Sequence, residues 1–146
     1  MRRQPENIQQ QLEQDEGRSK TVYKDSEDYD TIGIGCLVDK RKPGAGLPDP
    51  VIDFLFQFQL REKQNELDKK LSWARTLDDA RYGTLTNIAF QLGVDGLLKF
   101  QKALKAMREG NWTLAAVHFA DSLVAREQTP DRWKRHCDQI RTGEWQ

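Results

Sequence analysis

The sequence predicts an α+β fold with a small β-hairpin lobe, a larger helical lobe and a cleft between them. Three observations carry this prediction. A strand-like pattern is confined to about 18–48, an uninterrupted helical pattern covers about 49–73, and the chain from about 74–146 is helical throughout. A chain of 146 residues suits a single domain. We therefore expect one domain over 1–146, in which the long helix joins the two lobes.

The first element is a helix predicted over 6–16. Ile8 and Leu12 lie one turn apart on the same face, and Gly17 provides the usual left-handed stop. Glu16 then lies at the C-terminus of this helix, where a carboxylate opposes the helix dipole. Stability alone therefore does not explain Glu16. We expect this helix to pack on the helical lobe.

The chain that follows has the period of a small antiparallel sheet. The pattern predicts one strand over 21–23 and a second over 31–35, with a polar turn over 25–28 between them. A third short strand is predicted over 36–38. Gly33 and Gly35 alternate with larger residues. If they lie in a strand, they leave one face without side chains, which permits close approach of a ligand or another backbone. Proline and glycine predict a loop from Lys40 to Pro50.

The long helix, about 49–73, begins with Pro50 in its first turn and has no later proline or glycine. Its apolar residues recur at helical spacing (Val51, Leu55, Phe58, Leu67, Leu71). Further helices are predicted over 77–92, 95–108, 112–123 and 130–140. Asn111 and Thr129 suit N-caps.

Composition excludes several classes of function. Lysines plus arginines and aspartates plus glutamates both number 23, so no overall field favours nucleic acid. No apolar run approaches the roughly 18 residues of a membrane span, so no membrane insertion is expected. The N-terminus has no apolar core, and we expect no secretory signal peptide. The two cysteines are then expected to be free thiols.

Glu16, Asp25 and Thr31 cluster around the change from helix to hairpin. A helix end and a following hairpin can hold two carboxyl groups on opposite sides of a substrate. Glycosidic bond cleavage needs one protonated carboxyl group and one carboxylate. Partial burial would help Glu16 to keep its proton. By spacing alone, an incidental pair of carboxylates fits equally, since the chain has 23 acidic residues.

The surrounding motifs are more specific. Residues 15–35 contain Asp-Glu-Gly, Tyr-Lys-Asp and Thr-Ile-Gly-Ile-Gly, and this segment resembles the catalytic segment of the T-even phage lysozymes (glycoside hydrolase family 24). The similarity weakens over about 38–75. It continues in further blocks at 77–81, 87–93, 111–112, 115–116, 128–132 and 141–145.

The resemblance implies a lysozyme-like fold and a phage muramidase, without metal or cofactor. Its substrate would be the peptidoglycan glycan strand, cut between N-acetylmuramic acid and N-acetylglucosamine. Glu16 would be the general acid, Asp25 the second carboxylate and Thr31 a residue that helps to hold the attacking water. The family inverts the anomeric configuration, which requires about 6.5–9.5 Å between the carboxyl groups.

The resemblance also implies a set of cleft residues. Arg132 matches an arginine that pairs with the catalytic glutamate. Four other residues match positions at or near the cleft: Leu37, Asn87, Phe90 and Gln91. The protein would be a monomer held in the host cytoplasm until a holin releases it to the cell wall, where it serves as an endolysin in host lysis.

Three departures concern details of this pattern. Cys36 stands where the family commonly has a salt-bridging histidine, and we expect a packed thiol beside the cleft. The stretch after Cys36 is shorter than in the T-even enzymes, so the number of sugars bound can differ. The segment 123–127 lacks the family's cleft-side tryptophan. We expect the tryptophans to be core or hinge residues, and His118 and His136 to be non-catalytic.

Three alternatives remain open. A lytic transglycosylase also uses a glutamate acid but needs no water-directing carboxylate, so Asp25 and Thr31 argue against it. A chitinase-like enzyme would use the same two carboxylates on a glycan without peptides. A peptidoglycan-binding protein would keep the fold without turnover, and the intact set of Glu16, Asp25 and Thr31 argues against that.

Overall fold

The computed structural model of the protein describes residues 5–38 and 46–146. It confirms the α+β class, because the described residues form helices and a three-stranded antiparallel sheet. The chain divides into two compact units, residues 1–55 and 56–146. No helix within the described ranges has both the length and the apolar character of a membrane span.

In the first unit, helix α1 comprises Ile8–Glu16 and ends at the residue that the sequence predicted. The Asn7 side chain caps its start by accepting a hydrogen bond from the Gln10 amide at 2.9 Å. Gly17 ends it with a φ of 75°. Such a φ is one that glycine adopts readily. All residues of α1 are described and none of them is buried, so where this helix packs stays a prediction.

The sheet consists of β1 (Ser19–Lys24), β2 (Asp30–Gly33) and β3 (Cys36–Leu37), in that spatial order. Thr31 on the central strand is paired with Tyr23 on one side and Leu37 on the other. Paired residues share a face of the sheet. Thr31 is 2% exposed, whereas Tyr23 and Leu37 are partly exposed, so the burial on this face is greatest at the central strand.

The predicted strand over 31–35 is too long. Strand β2 ends at Gly33, and Ile34 and Gly35 form the turn into β3. Gly33 has a φ of 70° and Gly35 a φ of 65°, a conformation that other residues rarely adopt. The alternation of glycine with larger residues imitates a strand, but the glycines serve a turn rather than a bare strand face.

Helix α2 comprises Asp49–Lys70, and the division between the two units falls within it. Its apolar residues do not form one buried stripe. Leu67 is the one buried residue among the described residues of α2, whereas Val51, Leu55 and Phe58 are exposed. The spacing therefore predicted the helix correctly but not the burial of its first half.

The second unit is helical. Asp78 caps its first long helix by accepting a hydrogen bond from the Arg81 amide at 3.0 Å, which is why that helix begins after the predicted start at 77. The predicted helix over 95–108 is two helices. The elements are a 3₁₀ turn (Ala74–Thr76), α3 (Asp79–Leu92), α4 (Val94–Leu98), α5 (Gln101–Arg108), α6 (Trp112–Ala120), a π-helical turn (Val124–Gln128) and α7 (Pro130–Thr142).

The core of the second unit is organised around Trp133 on α7, which is 1% exposed. Its ring stacks on Phe100 at 5.4 Å between centroids and lies 6.0 Å from Phe119 on α6. The expectation that a tryptophan fills the core is confirmed for Trp133. Trp145 differs, since it is 68% exposed and its ring lies against Gly83 of α3.

Arg81 ties the start of α3 to the end of α7. Its guanidinium donates to the carbonyls of Ile140 at 2.7 Å and Arg141 at 3.1 Å, in the last turn of α7. It pairs with Asp78 at 2.9 Å and lies 4.0 Å above the ring of Trp112. One planar group thus satisfies two helix carbonyls that have no partner within their helix.

We predict that Arg81→Lys lowers the free energy of unfolding by about 2–4 kcal/mol, because a lysine cannot reproduce the fork and leaves carbonyls unsatisfied. Chemical denaturation measures this loss. Arg108→Lys is the matched control, since Arg108 is exposed at the end of α5. Equal stability of the two variants would contradict the role assigned to Arg81.

Candidate active site

Glu16 is the last residue of α1 and is exposed. Partial burial would help this carboxyl group to keep its proton, but its own helix does not provide it. The reason is that α1, all of which is described, buries none of its side chains.

Asp25 lies in the turn after β1, and the turn fixes its carboxylate. Oδ1 of Asp25 accepts hydrogen bonds from the backbone amides of Glu27 and Tyr29, both at 2.9 Å. The Asp25 amide in turn donates to the Tyr29 carbonyl at 2.9 Å. Asp25 therefore has a structural role beside its candidate chemical one. An aspartate ahead of a polar turn is a sequence signal for this arrangement.

Thr31 lies next to Asp25 in this network. Its hydroxyl group donates to the Tyr29 carbonyl at 3.1 Å, the same oxygen that accepts from the Asp25 amide. The hydroxyl oxygen keeps acceptor capacity after that donation. Leu37 is the β3 partner of Thr31. The structure thus brings Asp25, Thr31 and Leu37 together at one end and one face of the sheet.

Cys36 is not the packed thiol that the sequence analysis expected. It is exposed and is paired with Ile32, one position out of phase with the Thr31–Leu37 pair. Because successive strand residues alternate between faces, Cys36 lies on the face opposite Thr31. Cys36 and Cys137 are both free, as predicted.

In the second unit, Arg132 on α7 and Asn87 on α3 form a tight pair. Nε of Arg132 donates to Oδ1 of Asn87 at 3.2 Å, and Nη2 of Arg132 donates to the same oxygen. This contact fixes the plane of the guanidinium group. The resemblance suggested both residues but not their contact, since they are far apart in sequence and neither residue type has a fixed partner.

Asn87, Arg132 and Phe90 line a pocket of about 560 Å³ in the second unit. Phe90 is 38% exposed and its ring lies 6.0 Å from that of Phe56 on α2. Gln91 follows Phe90 on α3. Its Nε2 donates to Oγ1 of Thr129 at 3.2 Å, which fixes its side chain. The other residues that line the pocket are Phe56, Leu60, Gln64, Arg75, Asp79, Tyr82, Gly83, Thr86 and Trp145. This combination of aromatic and polar side chains suits a sugar or peptide ligand.

Sequence reasoning missed one polar group at this pocket. The Tyr82 hydroxyl donates to Oδ1 of Asp68 at 2.9 Å, and Arg75 donates to Oδ2 of the same carboxylate at 2.9 Å. Burial, followed by Asp68, raises the pKa of Tyr82 to about 12. Tyr82 therefore stays protonated and holds its hydrogen bond. No motif marks these residues, because they come from three separate elements.

His136 lies one turn after Arg132 on α7 and is 4% exposed. Its ring meets that of Trp133 edge-on at 5.7 Å, and its Nε2 has no hydrogen-bond partner within the described residues. Burial, with added repulsion from Arg132 and Arg135, lowers the pKa of His136 from 6.5 to about 4. The imidazole is therefore neutral in the folded protein at neutral pH.

This lowered pKa predicts a loss of stability in acid. The unfolded chain binds a proton at His136 below about pH 6.5, whereas the folded protein does so near pH 4, so stability falls as the pH drops between these values. The loss attributable to His136 is about 3 kcal/mol. His136→Leu should flatten the dependence of unfolding free energy on pH, and His118→Gln should not. An unchanged slope in His136→Leu would contradict the assignment.

Comparison with known proteins agrees with the motifs. The family model described as phage lysozyme matches residues 13–135. The probable T4-type lysozyme 1 of Dictyostelium discoideum is 33% identical, over 94% of this chain and 95% of that protein. Its probable T4-type lysozyme 2 is 29% identical over the same shares. The pre-baseplate central spike protein Gp5 of Enterobacteria phage T4 is 31% identical over 94% of this chain and 28% of that protein.

Proposed function

The chain belongs to the phage lysozyme family, and from this premise we propose that it is an inverting muramidase with Glu16 as its general acid. The proposed substrate is the glycan strand of bacterial peptidoglycan. The proposed bond is the β-1,4 link between N-acetylmuramic acid and N-acetylglucosamine. The observation that carries the proposal is the arrangement in which the Tyr29 carbonyl accepts from both Asp25 and Thr31.

The bond-breaking step begins with proton transfer from Glu16. The carboxyl group donates its proton to the glycosidic oxygen, so the bond between this oxygen and C1 of the muramic acid breaks. The N-acetylglucosamine leaves with a free hydroxyl group. Glu16 suits this step because it projects from a helix end into solvent, where a bound glycan strand can reach it.

The bond-forming step uses water held at Asp25 and Thr31. The water oxygen adds to C1 on the face opposite the leaving group, and the Asp25 carboxylate takes the released proton. The Thr31 oxygen accepts a hydrogen bond from the same water. Proton exchange with solvent then restores Glu16 and Asp25. The amides on Oδ1 fix the orientation of Asp25 before substrate arrives, which lowers the cost of ordering it in the reaction.

The remaining residues are proposed to bind the glycan. Asn87 holds the guanidinium of Arg132 in one plane, and a planar cation suits polar groups on a sugar or its stem peptide. Phe90 offers an exposed ring for apolar contact with a sugar. Gln91, on the same helix as Asn87 and Phe90, is proposed to contribute to this surface. Leu37 is proposed to contact the glycan beside its strand partner Thr31.

We further propose that the enzyme waits in the host cytoplasm as a monomer and reaches the cell wall once a holin opens the membrane. Expression in a bacterial host with and without a holin tests this order of events. Lysis only when the holin is present is the expected result. Rapid lysis without the holin would contradict the proposed release step.

The enzymatic proposal is tested by measuring reducing ends released from purified peptidoglycan and from chitin. We expect release from peptidoglycan at a far higher rate than from chitin. Comparable rates on the two glycans would make the specificity chitinase-like. Soluble fragments without new reducing ends would indicate a transglycosylase, and binding without any fragments would indicate a non-catalytic protein.

A further inference from the structure

The turn between β2 and β3 provides the space in which the Glu16 carboxyl group lies. A Cβ atom added to Gly35 would lie 2.8 Å from Oε2 of Glu16 and 3.2 Å from its Cδ. Nonbonded carbon atoms normally approach to about 3.5–4.0 Å. The carboxyl group therefore occupies the place that any side chain at residue 35 would take.

Gly33 in the same turn separates this effect from backbone conformation. Its φ of 70° is close to the 65° of Gly35, so both positions favour glycine for the same conformational reason. A Cβ atom added to Gly33, however, would meet no atom of the described chain within 4 Å. The contact with Glu16 is thus a property of Gly35 that the conformation of the turn does not explain.

We propose that Gly35 is a positioning residue for the acid, because its lack of a side chain sets where the Glu16 carboxyl group can rest. This inference deepens the proposed function and rests on the role of Glu16 in it. The atom that a methyl group would displace is the far end of a flexible side chain. A methyl group at residue 35 should therefore move the reactive carboxyl group at a stability cost that is measurable but does not prevent folding.

The catalytic consequence is large because proton transfer depends on distance. A displacement of about 1 Å at a reacting group costs about 100-fold in rate. We therefore expect Gly35→Ala to lower kcat on peptidoglycan by about 10- to 100-fold with little change in KM. Gly33→Ala should lower Tm through its positive φ alone, and therefore by less than Gly35→Ala, and should keep kcat close to that of the native protein. Equal kcat values in the two variants would overturn the proposal.

A thermal double-mutant cycle tests the contact without reference to activity. Gly35→Ala should lower Tm less in a Glu16→Ala background than in the native background, because the carboxyl group is then absent. Gly33→Ala should lower Tm equally in both backgrounds. Additive losses for Gly35→Ala would overturn the proposal. If Gly35→Ala alone does not fold, recovery of folding in the double variant supports the contact, and failure to recover contradicts it.

The two proposals fail in different ways. Full activity of Glu16→Gln would end the role of Glu16 as the acid, while the thermal cycle would still report whether Gly35 and Glu16 are in contact. A different result would keep the proposed function: Glu16→Gln is inactive, and Gly35→Ala and Gly33→Ala lower Tm unequally but have equal kcat values. That combination would remove the positioning role of Gly35.

Discussion

Glu16→Gln is expected to lower the rate of peptidoglycan cleavage by about 100- to 10,000-fold, the range that a general acid contributes. Glutamine keeps the shape of the side chain and cannot donate the proton. Stability should not fall, because Glu16 is exposed at the end of α1 and its charge there opposes the helix dipole. Reducing-end release measures the rate, and thermal unfolding measures the stability.

Glu13→Gln is the matched control for this prediction. Glu13 lies one turn earlier on α1 and pairs with Arg18 at 2.6 Å, so the variant changes the same helix by the same chemical step. Its cleavage rate should equal that of the native protein. A Glu16→Gln variant as active as Glu13→Gln would contradict the assignment of the acid.

Asp25→Asn is expected to cause the second large loss, about 100-fold or more, because an amide cannot accept the proton of the attacking water. The amide oxygen of asparagine can still accept from Glu27 and Tyr29, so the turn should persist. Asp25→Ala should lose both activity and stability, since two amides then lack a partner. Asp25→Cys should keep partial activity if a thiolate accepts the proton.

Asp30→Asn serves as the control for Asp25. Asp30 belongs to the same hairpin and pairs with Lys24 at 2.8 Å on the exposed face of the sheet. This variant should keep the native cleavage rate. Native rates in Asp25→Ala would contradict the proposed activation of water, whatever the stability of that variant.

The helix end at Glu16 could be predicted because its cause is local. A glycine directly after the last helical residue adopts the backbone conformation that ends the helix, and Gly17 does so with a φ of 75°. The turn at Asp25 has an equally local cause, since its side chain bonds amides two and four residues later. Both features set the local structure around candidate site residues, so the sequence could indicate where Glu16 and Asp25 lie on their elements.

The turn at Gly33 and Gly35 could not be predicted in the same way. Alternation of small and large residues is the pattern of a half-buried strand, and the φ angles that distinguish a turn are not visible in it. The contact between Gly35 and the Glu16 carboxyl group was hidden for the same reason. The sequence indicated close approach at these glycines but not what approaches.

Contacts between distant elements were also beyond the sequence. Asn87 and Arg132 pair across 45 positions, and Arg81 reaches the end of α7 across 59. Each contact depends on how α3 packs on α7, which periodicity does not determine. The resemblance to phage lysozymes suggested Asn87 and Arg132 as site residues. It also included Arg81 in the block at 77–81, but without indicating that Arg81 contacts α7.

The source of the oxygen at the new reducing end tests the proposed mechanism most directly, because hydrolysis takes this oxygen from water. Peptidoglycan should be digested in ¹⁸O-labelled water by the native protein and by Glu16→Gln, with mass analysis of the released fragments. The proposed mechanism predicts one labelled oxygen at the reducing muramic acid end of each native product, and release by Glu16→Gln at a rate at least about 100-fold lower. Unlabelled products with anhydro-muramic ends, or labelled products at the native rate from Glu16→Gln, would contradict it.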